Sequence, residues 1–127
     1  MGKPRKKRIL LVDDDSAFRE SFRELLESKG YEVTEAADGL EAESHLESTE
    51  FDLTITDILM PDRDGLELIK IMRKLRPSMK FIAISGGGLI EADKYLLLAG
   101  NYPMVSAKAT KPFNIDEMLE TISRLIG

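Results

Sequence analysis

Short apolar runs alternate with segments of helical period from one end of this chain to the other, and few folds accommodate that pattern. Ile9-Leu10-Leu11-Val12 is wholly apolar, as a strand covered on both faces must be. Residues 31–36 (YEVTEA), 51–56 (FDLTIT), 80–84 (KFIAI) and 104–107 (MVSA) supply the other predicted strands. Between them, Phe18, Phe22, Leu25 and Leu26 recur at helical spacing, and Gly30 stands where a helix would end. Asp38 with Glu41, and Asp64 with Glu67, mark the starts of a second and a third helix. Leu68, Ile69, Met72 and Leu75 give the third its apolar stripe, and Pro77 ends it. A fourth carries Tyr95, Leu96 and Leu98. Asn114 caps a last one, striped by Ile115, Met118, Leu119, Ile122, Leu125 and Ile126. Five strands alternating with five helices predict an α/β fold, a doubly wound five-stranded parallel sheet with helices on both faces. Parallel strands need crossovers, and right-handed crossovers pack that way.

At 127 residues the chain fits one domain with a single core. The absence of Cys excludes disulfides and thiolate chemistry, and suits a cytoplasmic address. No apolar run approaches the roughly 18 residues that a membrane span needs, and no secretory leader is visible. Charge is unevenly placed. Five of the 18 basic residues (Lys3, Arg5, Lys6, Lys7, Arg8) lie in residues 1–8, whereas all 23 acidic ones lie beyond. The expected organisation is a basic, solvated N-terminal arm over 1–8 and one acidic domain over 9–127. Such a body is a poor binder of nucleic acid, and no direct contact with DNA or membrane is expected.

In an open parallel sheet, ligands bind beyond the carboxyl ends of the strands. Asp13-Asp14-Asp15 follows the first strand, Asp57 the third, Ser85 and Gly86-Gly87-Gly88 the fourth, and Lys111-Pro112 the fifth. Carboxylates gathered at neutral pH repel, so either one keeps its proton or a cation neutralises them. Mg²⁺ is the natural partner: it takes one or two carboxylates and completes its shell with waters and phosphate oxygens. A Lys and a hydroxyl beside it can hold the remaining oxygens of a phosphoryl group. The set reads as phosphoryl chemistry on a carboxylate, and an Asp nucleophile forming an acyl phosphate is a recognised covalent strategy.

Single positions are weaker than the set. Asp15 reads as the cap of the first helix. The Gly run has the spacing of neither a dinucleotide fingerprint nor a P-loop. His45, the one histidine, sits among Glu and Ser and anchors no metal site or triad.

Four stretches carry a family resemblance: Leu11-Val12-Asp13-Asp14-Asp15, Thr56-Asp57-Ile58-Leu59-Met60-Pro61-Asp62-Arg63-Asp64-Gly65, Ile82-Ala83-Ile84-Ser85-Gly86 and Thr110-Lys111-Pro112-Phe113. Over about residues 8–126 the chain resembles the receiver domain of bacterial two-component response regulators, a flavodoxin-like fold. The resemblance implies a signalling switch and not an enzyme. Asp57 would take a phosphoryl group from a phosphohistidine on a sensor histidine kinase or a histidine phosphotransfer protein. Asp13, Asp14, Asp57 and the backbone carbonyl of Leu59 would hold Mg²⁺. Lys111 and Ser85 would bind phosphoryl oxygens. The face formed by the fourth helix, fifth strand and fifth helix would then change, to be read by a downstream target, an output domain or a second copy in a homodimer.

The chain departs from the family pattern in places. Lys108 occupies the position, three before Lys111, where the family usually has an aromatic. Met104 falls where a Gly usually precedes the fifth strand. Two other readings compete. A phosphatase of the haloacid-dehalogenase type would use Asp13 as nucleophile with Asp15, but its second acidic motif is missing after the fourth strand. A degenerate receiver would act purely as a binding module.

Overall fold

The computed structural model describes residues 6–57, 71, 74–85, 107–110 and 113–127. Their elements run β1 (Arg8–Val12), α1 (Ser16–Ser28), β2 (Glu32–Ala36), α2 (Gly39–Ser48), β3 (Leu53–Asp57), β4 (Lys80–Ser85), β5 (Ala107–Thr110) and a C-terminal helix (Ile115–Ile126). The strands form one sheet of five in the order β2-β1-β3-β4-β5, and every pairing is parallel.

The order of strands follows from burial. β1, β3 and β4 are the interior strands, and Ile9 to Val12, all of β3 and Phe81 to Ile84 are hidden. β2 lies at an edge and exposes Glu32. From β1 the chain crosses to β2 on one side, then returns past β1 to β3. Two right-handed crossovers in opposite directions put α1 and α2 on opposite faces. One face is a core of Ile9, Leu11, Leu53, Ile55, Ile82 and Ile84 from the strands, Phe22 and Leu26 from α1, and Met118 and Ile122 from the C-terminal helix. Alternate strand residues (Leu10, Val12, Phe81, Ala83) point the other way and are equally buried. Gly39, Ala42 and Leu46 are the buried residues of α2, which packs on β1 and β2.

Three predicted caps are where the sequence placed them, and the fourth, Asp64, lies outside the described residues. Asp15 accepts from the Phe18 N–H at 3.1 Å, Asp38 from Glu41 at 2.8 Å and Asn114 from Glu117 at 3.0 Å. Each satisfies an amide that has no partner inside its helix. Glu41 answers by accepting from the Ala37 N–H at 3.3 Å, a reciprocal arrangement close to a capping box. Gly30 has φ +96°, a left-handed conformation that a side chain disfavours, and its N–H closes α1 on the Glu27 carbonyl at 3.0 Å.

Several expected boundaries move. β3 and β4 each run one residue further than predicted, so Asp57 and Ser85 are the last residues of their strands and not the first of the loops. The larger shift is in β5, expected over 104–107 but found at Ala107–Thr110, with residues 104–106 outside the described set. Its residues, Ala-Lys-Ala-Thr, have no apolar run, and their pairing with Ile82–Ser85 of β4 supplies what their composition does not. Arg8, counted with the basic arm, opens β1 and pairs with Glu32 at 2.9 Å. Of the third predicted helix, Ile71, Lys74 and Leu75 are described and helical; the fourth lies outside the described residues.

Candidate functional site

The carboxyl ends of β1 and β3 are adjacent because Val12 is in register with Thr56. In two parallel strands the residues that follow are also neighbours, here Asp13 and Asp57. Both are buried, at 1% and 6% exposure. Asp14, next to Asp13, is exposed. Each of these three residues offers a carboxylate oxygen, and the three oxygens lie within 4.8 Å of one another. Among the described residues this is the one such group of potential metal ligands.

Asp13 is held at several points. Its N–H extends the sheet by donating to the Ala36 carbonyl at 3.1 Å. Its Oδ1 accepts from the Asp15 N–H at 2.9 Å, which folds the acidic run into a tight turn. Its carbonyl accepts from Arg19 Nη1 at 2.7 Å. Asp15 itself turns away to cap α1, so the Asp13-x-Asp15 pair required by the phosphatase reading is not assembled as a pair of acids. Beside Asp57, the buried Thr56 hydroxyl is satisfied by the Asp57 carbonyl at 3.0 Å.

Two unit negative charges at such a separation repel by about 3 kcal/mol at an effective dielectric near 20. Burial of Asp13 and Asp57 raises the cost, since neither has bulk water around it. The donor set is all carboxylate oxygen, with one exposed member to admit water and two buried members to orient it. That chemistry fits a hard divalent cation such as Mg²⁺, whose ligands sit at about 2.1 Å and bring their oxygens to within ~4 Å of each other.

Of the other predicted site residues, Ser85 ends β4 at the same edge, one step beyond Ile84, the register partner of Asp57. It is also in register with Thr110, the last residue of β5. Lys111 and Leu59 lie outside the described residues. Sequence reasoning missed Arg19, whose guanidinium joins Asp13 to Glu35 of β2. A signal was there: a cation close behind a helix N-terminus runs against the helix dipole and asks for a partner.

Comparison with known proteins gives the family of this fold. Residues 9–123 match the model of the response regulator receiver domain. The response regulator receiver protein CpdR of Brucella abortus is 31% identical over 120 residues, which cover 94% of this chain and 97% of that protein. The sensor kinase CckA of the same organism is 36% identical over 123 residues, but the matched part is only 12% of its length. Response regulator MprA of Mycobacterium avium matches over half of its length, at 34% identity. This chain thus spans a small part of some relatives and nearly all of others. Among solved structures, a CheY-like receiver domain from Methanospirillum hungatei superimposes with a TM-score of 0.83 and 39% identity, covering 94% of this chain and 93% of that one. The response regulator TrrA of Thermotoga maritima, solved in complex with Mg²⁺ and BeF, gives 0.79 and 34%, covering 94% and 98%. With the predicted sheet, the assembled acids and the family match over nearly its whole length, this chain belongs to the response regulator receiver domains, phosphoryl-accepting signalling modules of two-component systems.

Proposed function

We propose that this domain accepts a phosphoryl group on Asp57 from a phosphohistidine of a sensor histidine kinase or a histidine phosphotransfer protein. The observation that carries the reading is the convergence of Asp13, Asp14 and Asp57 at one end of the sheet. A carboxylate oxygen of Asp57 attacks phosphorus. The phosphorus–nitrogen bond of the donor breaks, and the imidazole leaves with its electron pair, giving an aspartyl phosphate and a free histidine. The donor supplies the high-energy bond, so this chain's part is positioning and electrostatics. β3 fixes Asp57 by pairing on both sides, with β1 and β4. Asp13 and Asp14, with Asp57 and the Leu59 carbonyl, would hold Mg²⁺, which when bound neutralises charge on the transferring oxygens. Lys111, directly after β5, and Ser85, at the end of β4, would bind the remaining oxygens.

Signalling follows from differential contacts. A phosphoryl group that binds Ser85 and Lys111 in one arrangement of the segments after β4 and β5 shifts the population toward it. The changed face, built on β5 and the C-terminal helix, is the one a downstream target, an output domain or a second copy would read. Lys108 lies within β5 where an aromatic is usual in the family, so a moving ring at that position is not part of the switch. The domain acts as a switch and not as an enzyme with a released product. No described helix is long and apolar enough to cross a membrane, and a cytoplasmic site of action fits a cytoplasmic kinase partner.

The test is incubation with acetyl phosphate and Mg²⁺, then intact mass measurement and peptide mapping. One added phosphoryl group on Asp57, absent in Asp57→Asn and without Mg²⁺, is expected. An unmodified chain would favour the pure binding module. Turnover of a generic phosphate ester that survives Asp57→Asn would favour the phosphatase.

A further inference from the structure

We propose that Arg19 is a positioning residue for the cation site, acting through the main chain of Asp13 and braced by Glu35; the inference rests on the Mg²⁺ role given above to the acidic cluster. Arg19 lies on the first turns of α1, where its own N–H donates to the Asp15 carbonyl at 3.0 Å. Its side chain folds back over the acidic turn. Nη1 donates to the Asp13 carbonyl at 2.7 Å and Nε to Glu35 Oε1 at 2.8 Å. The other carboxylate oxygen of Glu35, Oε2, is taken by Arg23 Nη1 at 3.0 Å. The Arg19–Glu35 pair is largely covered, with side chains 15% and 22% exposed, so it is stiffer than an ion pair in open solvent.

The geometry gives this clamp one job. Glu35 sits next to Ala36, whose carbonyl receives the Asp13 N–H. The peptide groups on either side of Asp13 are therefore both held, the one carrying its N–H by the Ala36 carbonyl of β2 and the one carrying its carbonyl by an arginine itself paired with Glu35 of β2. Rotation about Asp13 that frees either one would swing its carboxylate away from Asp57. Glu35 is shared between Arg19 and Arg23 and so offsets only part of their charge, which leaves geometry and field to be told apart by experiment. A planar fork can serve a carbonyl and a carboxylate at once, which an ammonium does poorly. Partners behind the ligands of metal sites typically set metal affinity by roughly tenfold or more.

Position and field predict opposite signs, which makes the idea testable. If Arg19 acted only by its charge, its removal would leave the site more negative and tighten Mg²⁺. If it positions Asp13, its removal weakens Mg²⁺. The experiment titrates Mg²⁺ into the full chain, followed by amide chemical shifts, for wild type, Arg19→Gln, Arg19→Lys and Arg23→Gln. Arg23→Gln is the control, since it removes an ion pair to Glu35 without touching Asp13. Expected are a roughly tenfold weaker Kd for both Arg19 variants and a change under about twofold for Arg23→Gln. Tighter or unchanged binding in Arg19→Gln overturns the proposal. So does wild-type affinity in Arg19→Lys, which would show that the guanidinium fork joining Asp13 to Glu35 is not what holds the site, and so does an equal loss in Arg23→Gln. Should Arg19→Gln fail to fold, Arg19→Lys carries the test. A wild-type chain that binds no Mg²⁺ removes the cation reading itself, and this proposal with it.

Discussion

Asp13 and Asp57 stand side by side because the pairs before them, Val12 with Thr56 and Leu11 with Ile55, lock β1 and β3 in register. Two acids that are 44 positions apart in the chain are thereby made neighbours by apolar packing. The sheet accepts their repulsion because its core, fully buried at Ile9, Leu11, Leu53 and Ile55, is too well packed to slip by one residue. Such a slip would also turn every side chain to the wrong face.

Mg²⁺ should stabilise the fold through this pair. A cation that binds only the native chain adds about 1.4 kcal/mol at ten times its Kd. Asp13→Asn keeps the oxygen that accepts from the Asp15 N–H and removes one charge. It should melt no lower than wild type in metal-free buffer and gain much less from Mg²⁺. Thermal melts with and without Mg²⁺ measure both, and an equal gain in the two forms would count against the cluster as the cation site.

Asp15→Ala should cost about 1 kcal/mol, the usual worth of an N-cap, and leave Mg²⁺ affinity within about twofold. Its side chain serves Phe18 and α1. Urea unfolding alongside a Mg²⁺ titration separates the effects. A large loss of affinity would give Asp15 a place among the ligands and revive the phosphatase arrangement.

Phe113 follows Lys111-Pro112 and packs its ring against Phe18 and Phe22, with centroids 6.0 and 5.5 Å away. Phe113→Ala should cost about 2 kcal/mol, below the value for a fully buried Phe because the ring is only partly covered. It should also slow phosphorylation by acetyl phosphate under conditions where the variant is fully folded, since the segment after β5 loses its anchor on α1. Unfolding curves and initial rates read the two consequences independently.

Burial pushes the Tyr31 phenol above its ordinary value of 10.0. The folded state then holds this proton more tightly than the unfolded state. Its contribution is complete below pH 10 and is lost as pH rises through the higher folded pKa. Tyr31→Phe should flatten that part of the stability profile, measurable as unfolding free energy between neutral pH and pH 11 (the upper limit being roughly one unit past the phenol's ordinary range). A profile unchanged by the substitution would remove Tyr31 from the alkaline limb.

Much of this molecule is legible in its residues. The apolar run Ile9–Val12 can only be an interior strand, and Asp15, Asp38 and Asn114 announce helix starts because a short acceptor side chain meets orphan amides there. Asp13 and Asp14 could be singled out because acids directly after such a strand are costly unless used. β5 is expected too early, over 104–107, since Ala107, Lys108, Ala109 and Thr110 have no pattern of their own and become a strand by pairing with β4.

The alternation of apolar period and the residue types at strand ends decided the fold class and which edge would be acidic, because burial and backbone capping are local demands that each segment meets by itself. Which groups touch was decided only by folding. The register of β1 on β3 brings Asp13 to Asp57, and the reach of Arg19 from α1 across to Glu35 depends on how a helix sits over a strand edge. Neither spacing is periodic along the chain, so no local rule encodes it; both are consequences of the core closing between the helices and the sheet.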